Sequence, residues 1–254
     1  MLAKSKPHTQ EQLTIVRWTA GLGAVTAQAF AQHMQLTLAS ARTRLAAAER
    51  AGLVRKTHVL VGEPALYTTT SAGLRAASVH GLEPCRVSAA NAPHAIACAT
   101  AAAALGCAYP DHMVMGEREL RHQERQAGAP LASAKLARAL HRPDLVLWPR
   151  AGAGRLPVAV EVELTVKAPA RLAEICRAWA RCRYVAGTLY LASEEVLRPL
   201  AKAIARAGAG ARVVLVGLDA LAPYEPSGGE RAEHDGDQRQ RAARSRASTV
   251  PGDA

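Results

Sequence analysis

Two spacings of apolar residues occur along the chain, one typical of amphipathic helices and one typical of strands. Helical spacing dominates residues 11–78, 79–93 has the composition of a linker, and 94–224 combines both spacings. Helices are predicted at 94–105, 131–140, 169–184 and 194–207, and strands at 112–118, 144–148, 156–166, 187–192 and 212–218. Strands that alternate with helices favour a layered sheet. The expected fold class is therefore α/β, or α+β over the whole chain.

A pair of short helices separated by a turn is predicted in the N-terminal part. Ala29, Phe30 and His33 fit one first helix, and residues 34–36 fit the turn. Thr37 is a suitable N-cap, because its hydroxyl can accept a hydrogen bond from a free amide of the next helix. In that second helix one face is apolar and is formed by Ala41, Leu45 and Ala48.

The second helix is followed by the signals of a hairpin and of one more helix. Gly52 fits the left-handed position that ends many helices. Residues 53–70 alternate as a hairpin does, and 71–77 restart a helix. This order resembles the winged helix-turn-helix domains of bacterial regulators, above all in the step at 51–56 and the helix start at 70–73. The resemblance implies that the second helix enters the major groove of DNA.

The charge of the chain supports a polyanionic partner. The net charge is +11, residues 1–78 contain nine Lys or Arg against three acids, and the tail from Glu225 is nearly neutral. A basic folded surface favours nucleic acid, since phosphates that are neutralised release counterions. Double-stranded DNA is the expected partner. A ribosomal surface, a membrane surface or a protein are alternative partners, and the cations can also be only the solvated face of a small helical domain. The predicted DNA contacts are Thr37, Ser40, Arg42, Thr43, Arg44, Arg55 and Lys56.

The strand predicted at 156–166 carries carboxylates in an otherwise apolar sequence. Glu161 and Glu163 fall on one face by the period of two, about 7 Å apart, and such charges repel unless a cation lies between them. Asp144 begins the preceding strand, where a hairpin brings it beside Glu161. Asp144 and Glu161 are therefore predicted to hold Mg²⁺ or Mn²⁺, and Glu163 and Lys167 to complete a catalytic group.

A structural interpretation of the same acids stands beside the catalytic one. Glu161 and Glu163 can face solvent on an edge strand, paired with Arg171 or Arg177. Glu117 is a weaker candidate for a further acid near the metal. The two interpretations differ in whether the strand lies inside the sheet or at its edge.

The acids also carry a resemblance to known proteins. Pro143-Asp144 followed by Glu161-x-Glu163 resembles the PD-(D/E)xK nuclease motif, within a similar order of helix, three strands, helix and strand. The combination is more specific than the nuclease motif alone. It joins the winged helix to RPD at 142–144, EVELT at 161–165 and Lys167. This combination resembles the replication-relaxation family of actinobacterial plasmids and other mobile elements, over most of 11–220. The resemblance implies a winged helix-turn-helix followed by a restriction-endonuclease-like mixed sheet with flanking helices, in a DNA-binding protein that acts in plasmid replication and relaxation.

The sequence departs from the nuclease motif at one position, because Glu163 occupies the place of the motif lysine. The site can be active with Glu there, Lys167 can take over the lysine role, or the fold can serve only to grip DNA. The first two alternatives predict a Mg²⁺-dependent DNA endonuclease or nickase, and the third predicts a non-catalytic replication or transcription regulator. A regulator whose second domain binds a small ligand is a further alternative.

Other features concern location and partners. Five cysteines without a C-x-x-C pair indicate free thiols in a reducing cytoplasm, and no apolar run is long enough to cross a membrane. His94 and Trp179 are interpreted as structural residues. Residues 225–254 are predicted to be disordered, since they lack large apolar side chains. The family resemblance leaves further partners open. They are a second copy of the chain on a palindromic site and other plasmid replication or transfer proteins.

Overall fold

The N-terminal region is built from four helices and a small antiparallel sheet. The computed structural model describes residues 7–137, 139–150 and 155–221. The first helices are α1 (Gln10–Leu22), α2 (Ala27–His33), α3 (Leu38–Arg50) and α4 (Ser71–Ala76), and the first strands are β1 (Ala24–Thr26), β2 (Val54–Thr57) and β3 (Leu66–Thr69). Strand β3 lies between β1 and β2 and is antiparallel to both. The predicted order of two helices, hairpin and further helix is therefore confirmed.

Threonine caps fix where these helices begin. The hydroxyls of Thr9, Thr26, Thr37 and Thr70 each accept a hydrogen bond from the amide three residues later. Each cap supplies a partner for an amide that the first helical turn leaves without one. Gly52 follows α3 with φ +71°, a conformation that other residues rarely adopt. The predictions of a cap at Thr37 and of a helix-ending glycine at Gly52 are both confirmed.

The later part of the chain forms a mixed five-stranded sheet with helices on both faces. Its helices are α5 (Ala92–Ala108), α6 (Glu117–Ala127), α7 (Pro169–Ala180) and α8 (Glu194–Ala207), and its strands are β4 (His112–Gly116), β5 (Ala134–Lys135), β6 (Leu140–His141), β7 (Leu145–Pro149), β8 (Val158–Glu163), β9 (Gly187–Ala192) and β10 (Val213–Gly217). The large sheet has the order β10-β9-β8-β7-β4, and β5 and β6 pair separately. β7 runs antiparallel to both of its neighbours, β4 and β8, whereas β8, β9 and β10 run parallel. The predicted mixture of helices and a mixed sheet is confirmed.

The prediction of a helix at 131–140 is wrong. That segment instead holds the short hairpin of β5 and β6, because the carboxylate of Glu124 on α6 accepts hydrogen bonds from the amides of Leu131 and Ala132 and from the hydroxyl of Ser133. These bonds hold the backbone in a non-helical path. From Ala134 onward, buried Ala134 and Leu136 lie on either side of exposed Lys135, which is the period of extended chain.

Helix α6 is an element that the apolar pattern does not predict. Only Leu120 and Glu124 are buried among its eleven residues, so it has almost no apolar stripe. Its signals are the acids Glu117 and Glu119 in the first turn, which suit the positive end of a helix, and Gly128 in the left-handed conformation just after its end.

Strand β8 lies at the centre of the sheet and is covered on both faces. On one face Val160 and Val162 pack against α5. On the other face Ala159 belongs to the core that contains Leu172 and Trp179 of α7. Any polar side chain on β8 is therefore placed in the interior and needs a partner there.

Helix α5 joins the two parts of the chain. Ala99 and Ala103 pack in the core of the N-terminal region, while Ala102 and Leu105 pack beneath the large sheet. Small side chains allow this close approach on both sides. The predicted linker at 79–93 contains no helix or strand before Ala92. Among the described residues, none of the helices has the length and apolar character needed to cross a bilayer. The tail predicted to be disordered, 225–254, lies outside the described residues.

Candidate functional site

The predicted acids converge where β7 begins and β8 ends. Leu145 pairs with Val160 across the antiparallel strands, so the register places Asp144 opposite Glu161. Glu161 and Glu163 alternate with Val160 and Val162, as predicted, but both carboxylates are buried, with 7% and 6% of their surface exposed. The interpretation of these acids as solvent-facing residues of an edge strand, paired with arginine, is therefore wrong.

Glu161 is held by two donors. Its Oε1 lies 2.7 Å from His141 Nε2 and accepts a hydrogen bond from Trp179 Nε1 at 2.9 Å. Burial raises the pKa of Glu161, and the charge of Asp144 adds to this, while His141 opposes it. Burial lowers the pKa of His141, but the hydrogen bond and charge of Glu161 outweigh it, so that the pKa is raised overall. The hydrogen bond and charge of Glu161 therefore favour the protonated form of His141 within the core.

The carboxylate of Asp144 contacts both strand β8 and helix α5. Its Oδ2 accepts a hydrogen bond from the amide of Val162 at 2.8 Å, which continues the ladder between β7 and β8 with a side chain. Its Oδ1 lies 3.3 Å from Nε2 of His94 on α5, and the same nitrogen lies 3.2 Å from the carbonyl oxygen of Val162. The hydrogen bond with Asp144 is the main reason that the pKa of His94 is raised.

Cys98 lies one helical turn after His94 and completes a compact group. Its Sγ is 3.6 Å from Nδ1 and 3.8 Å from Nε2 of His94. One ligand atom from each of His94, Cys98 and Asp144 lies within 4.8 Å of the others. Burial raises the pKa of the Cys98 thiol, and the charge of Asp144 acts in the same direction.

Glu163 and Lys167 form an ion pair at the end of β8. The ammonium of Lys167 reaches back four residues to Oε2 of Glu163, and its side chain is 43% exposed whereas that of Glu163 is 8% exposed. Lys167 thus approaches the acids from a loop rather than from the strand, which ends at Glu163. Glu117 lies nearby, since its amide donates to the carbonyl of Asp144 at 2.9 Å, although its carboxylate pairs with Arg121.

The structure thus places Asp144 opposite Glu161 and pairs Glu163 with Lys167, and it adds side chains that the sequence did not assign to this region. The additions are His94, Cys98, His141, Trp179 and Tyr190. Tyr190 pairs with Glu161 across β8 and β9, and burial raises the pKa of its phenol. The signals present in the sequence were the four-residue spacing of His94 and Cys98, which places them on one helix face, and the position of His141 three residues before Asp144.

The arrangement does not fit the hard-oxygen Mg²⁺ or Mn²⁺ centre expected for Asp144 and Glu161. Mg²⁺ favours oxygen ligands in near-octahedral geometry with several waters. Glu161 is nearly inaccessible, and its Oε1 already serves His141 and Trp179. Asp144 is instead flanked by an imidazole and a thiol. A cation between Asp144 and Glu161 would have to displace buried hydrogen bonds, which is costly.

A second candidate surface lies between α3 and the hairpin of β2 and β3. Arg42 of α3 and Lys56 of β2 line a groove of about 530 Å³, together with His58. Both cations are exposed, and within the described ranges neither is in a salt bridge with an acid. Glu49 and Glu63 also line the groove, so its charge is mixed.

The other predicted DNA contacts are placed differently. Arg44 is half-buried and pairs with Glu11 of α1. Arg55 faces the opposite side of β2, where it lines a separate cavity of about 230 Å³ with Thr68 and Arg86. The hydroxyls of Thr37 and Thr43 already bond to backbone groups of α3.

Ser40 is half-exposed near the start of the same helix. Arg42 and Lys56 are therefore the cations that the structure brings together on one surface.

No family model, curated protein or solved structure matches this chain.

Proposed function

We propose that this chain is a double-stranded DNA-binding protein whose N-terminal region is a winged helix-turn-helix, with α3 in the major groove and the hairpin of β2 and β3 as the wing. The observation that carries the proposal is the groove between α3 and the hairpin, where Arg42 and Lys56 are exposed together. α3 buries Ala41, Leu45 and Ala48 and leaves its polar face to solvent, which is the division that a recognition helix requires. The excess of positive charge in residues 1–78 supports the same proposal.

We further propose that the five-stranded sheet is a PD-(D/E)xK-like scaffold that no longer hydrolyses DNA. Helix α5, strands β4, β7 and β8, helix α7 and strand β9 follow the order expected for that fold. Glu163 in the place of the motif lysine and the buried bonds of Glu161 favour a structural role. By its resemblance to the replication-relaxation family, the protein would act in the cytoplasm on plasmid or mobile-element DNA, in replication or relaxation.

A paired charge-removal experiment tests the DNA interface. Arg42→Ala with Lys56→Ala removes two cations from the groove, and Arg177→Ala with Arg181→Ala removes two exposed cations from the α7 region. Fluorescence anisotropy with a duplex of mixed sequence should show an affinity loss on the order of tenfold to a hundredfold for the first pair at low salt. Equal losses for both pairs would show that binding is only a response to net charge, and no binding by the unmodified protein would refute the proposal.

A DNA endonuclease is the second candidate function, and the proximity of the acids favours it. The charge of Asp144 raises the pKa of Glu161, and Lys167 reaches Glu163, and both observations support this candidate. Supercoiled plasmid incubated with the protein and Mg²⁺ or Mn²⁺ distinguishes the candidates. We expect no nicking above that of buffer. Metal-dependent nicking that disappears in Asp144→Asn and Lys167→Ala would establish the nuclease and overturn the scaffold proposal, while leaving DNA binding intact.

A further inference from the structure

His94 and Cys98 are required neither by the DNA interface nor by the predicted hard-cation site, yet they form one group with Asp144, the acid that site shares. His94 and Cys98 lie one turn apart on α5, and Asp144 lies at the start of β7. All three are half-buried, and one ligand atom from each lies within 4.8 Å of the other two. A cavity of about 210 Å³ opens onto them and is also lined by Glu117 and Arg118. The group is therefore both preformed and reachable from solvent.

Two of the three distances between ligand atoms are close to the edges of a tetrahedral metal site, and the third, between Asp144 and Cys98, is within 4.8 Å. With the usual bond lengths of zinc to nitrogen, oxygen and sulfur, tetrahedral ligands lie roughly 3.3 Å apart for nitrogen and oxygen and roughly 3.6 Å apart for nitrogen and sulfur. Nε2 of His94 lies 3.3 Å from Oδ1 of Asp144 and 3.8 Å from Sγ of Cys98. Because Sγ lies almost equally far from both ring nitrogens, the imidazole of His94 would turn to direct Nε2 at the ion.

The chemistry of the three ligands selects the class of metal. Thiolate and imidazole favour cations of intermediate softness and disfavour Mg²⁺ and Ca²⁺, which prefer oxygen. We propose that His94, Cys98 and Asp144 bind one divalent cation of intermediate softness, of which Zn²⁺ is the probe. The carbonyl oxygen of Val162, 3.2 Å from Nε2 of His94, or a water in the cavity completes four ligands.

Such an ion would fasten α5 to the sheet. Asp144 already bonds to Val162 of β8, and α5 also packs in the core of the N-terminal region. A cation at this point therefore connects the end of β8, the start of β7 and the helix shared by both regions. The proposal does not depend on DNA binding, because none of its ligands lies in the groove between α3 and the hairpin.

A metal titration of the full chain tests the proposal. The protein is first treated with a chelator, and Co²⁺ and then Zn²⁺ are added under a non-chelating reductant. We expect one Co²⁺ per chain with a thiolate-to-metal charge-transfer band, displacement of Co²⁺ by Zn²⁺, and no displacement by excess Mg²⁺. Cys98→Ser and His94→Ala should each weaken binding by about tenfold or more, and Cys107→Ser, which changes an exposed thiol elsewhere, should bind as the unmodified protein does.

A second readout keeps the test independent of how well each variant folds. Zn²⁺ should slow alkylation of Cys98 in the unmodified protein, measured by mass spectrometry of its peptide, while alkylation of Cys107 is unchanged. The proposal is overturned by binding below one ion per chain at micromolar protein, by a Co²⁺ spectrum without a thiolate band, or by alkylation of Cys98 that is indifferent to Zn²⁺.

Discussion

The polar residues of α3 and those of β8 follow equally regular patterns, yet they end in opposite environments. α3 buries Ala41, Leu45 and Ala48 and leaves Arg42 exposed. β8 buries the polar and the apolar members of its alternation alike, since Glu161 and Glu163 are covered by the helices on that face of the sheet. A polar side chain on a surface helix is free for a partner outside the protein, whereas a polar side chain on a covered strand must find one inside.

This difference separates what each region can do. The exposed cations Arg42 of α3 and Lys56 of β2 suit phosphates in the proposed function, and their effect should appear in binding rather than in folding. On β8 the acids are joined to His141, Trp179 and Lys167, and their effect should appear in folding. Each of the following variants tests one side of that division.

The largest effect is expected at Glu161. Glu161→Ala leaves His141 and the indole of Trp179 without a partner in the core, so the free energy of unfolding should fall by about 3–5 kcal/mol. Urea denaturation measures this change, with Glu174→Ala as control, because within the described ranges that partly exposed carboxylate pairs with Arg171 alone and its loss should cost less than about 1 kcal/mol. A loss below about 1 kcal/mol at Glu161 would contradict a structural role for the buried acid.

A histidine of the N-terminal region should make stability depend on pH. His33 stacks on Trp18 at a centroid distance of 4.3 Å, and burial lowers its pKa to about 4. The unfolded chain takes up a proton near pH 6.5 and the folded chain only near pH 4, so this contribution is present above pH 6.5 and is lost as pH falls toward 4.

Between pH 7 and 4.5 the unmodified protein should lose about 2–3 kcal/mol more than His33→Phe, which keeps the stacking but does not titrate. Urea denaturation at both pH values checks this difference. Parallel pH dependence in the two proteins would show that His33 is not the group responsible.

The cap of α3 should contribute less. Thr37→Ala removes the acceptor for the amide of Ser40 and should lower the free energy of unfolding by about 1 kcal/mol, whereas Thr37→Ser should retain most of the cap. Thermal unfolding of the two variants provides the measurement. A similar loss in both would assign the effect to the threonine methyl group and not to the hydroxyl.

A comparison of duplex binding should separate Arg42 from Arg44. Arg42→Ala is expected to weaken duplex binding by about fivefold to tenfold at low salt, since its guanidinium is exposed in the groove. Arg44→Ala should weaken it by less than about threefold, because that side chain pairs with Glu11. Anisotropy titrations with one duplex give both values, and the reverse order would place the DNA on a different face of α3.

Much of the fold could be predicted because its signals are local. The cap at Thr37, the glycine at Gly52 and the apolar face of α3 are encoded within a few residues of each other, and the central strands are marked by their alternation. The helix α6 was missed because it buries almost nothing apolar, and the hairpin at 131–140 depends on bonds to Glu124 of another element.

The candidate site was predictable only in part. The alternation in β8 and the preceding strand predicted that Asp144 lies opposite Glu161, but the partners of these acids come from distant segments. Trp179 and His141 reach Glu161 only when α7 and β6 are packed on the sheet, and no short-range pattern records that packing. For the same reason, sequence alone could not show that Arg44 is occupied by Glu11 or that Arg55 faces away from Arg42.

The salt dependence of duplex binding tests the central claim most directly. For the unmodified protein and for Arg42→Ala with Lys56→Ala, the slope of log affinity against log salt concentration counts the phosphates neutralised, at about 0.9 per contact. Loss of two phosphate contacts should make the slope of the double variant shallower by about 2, while Arg177→Ala with Arg181→Ala keeps the original slope. An unchanged slope in the α3 and hairpin variant, or a slope near zero in the unmodified protein, would contradict the account.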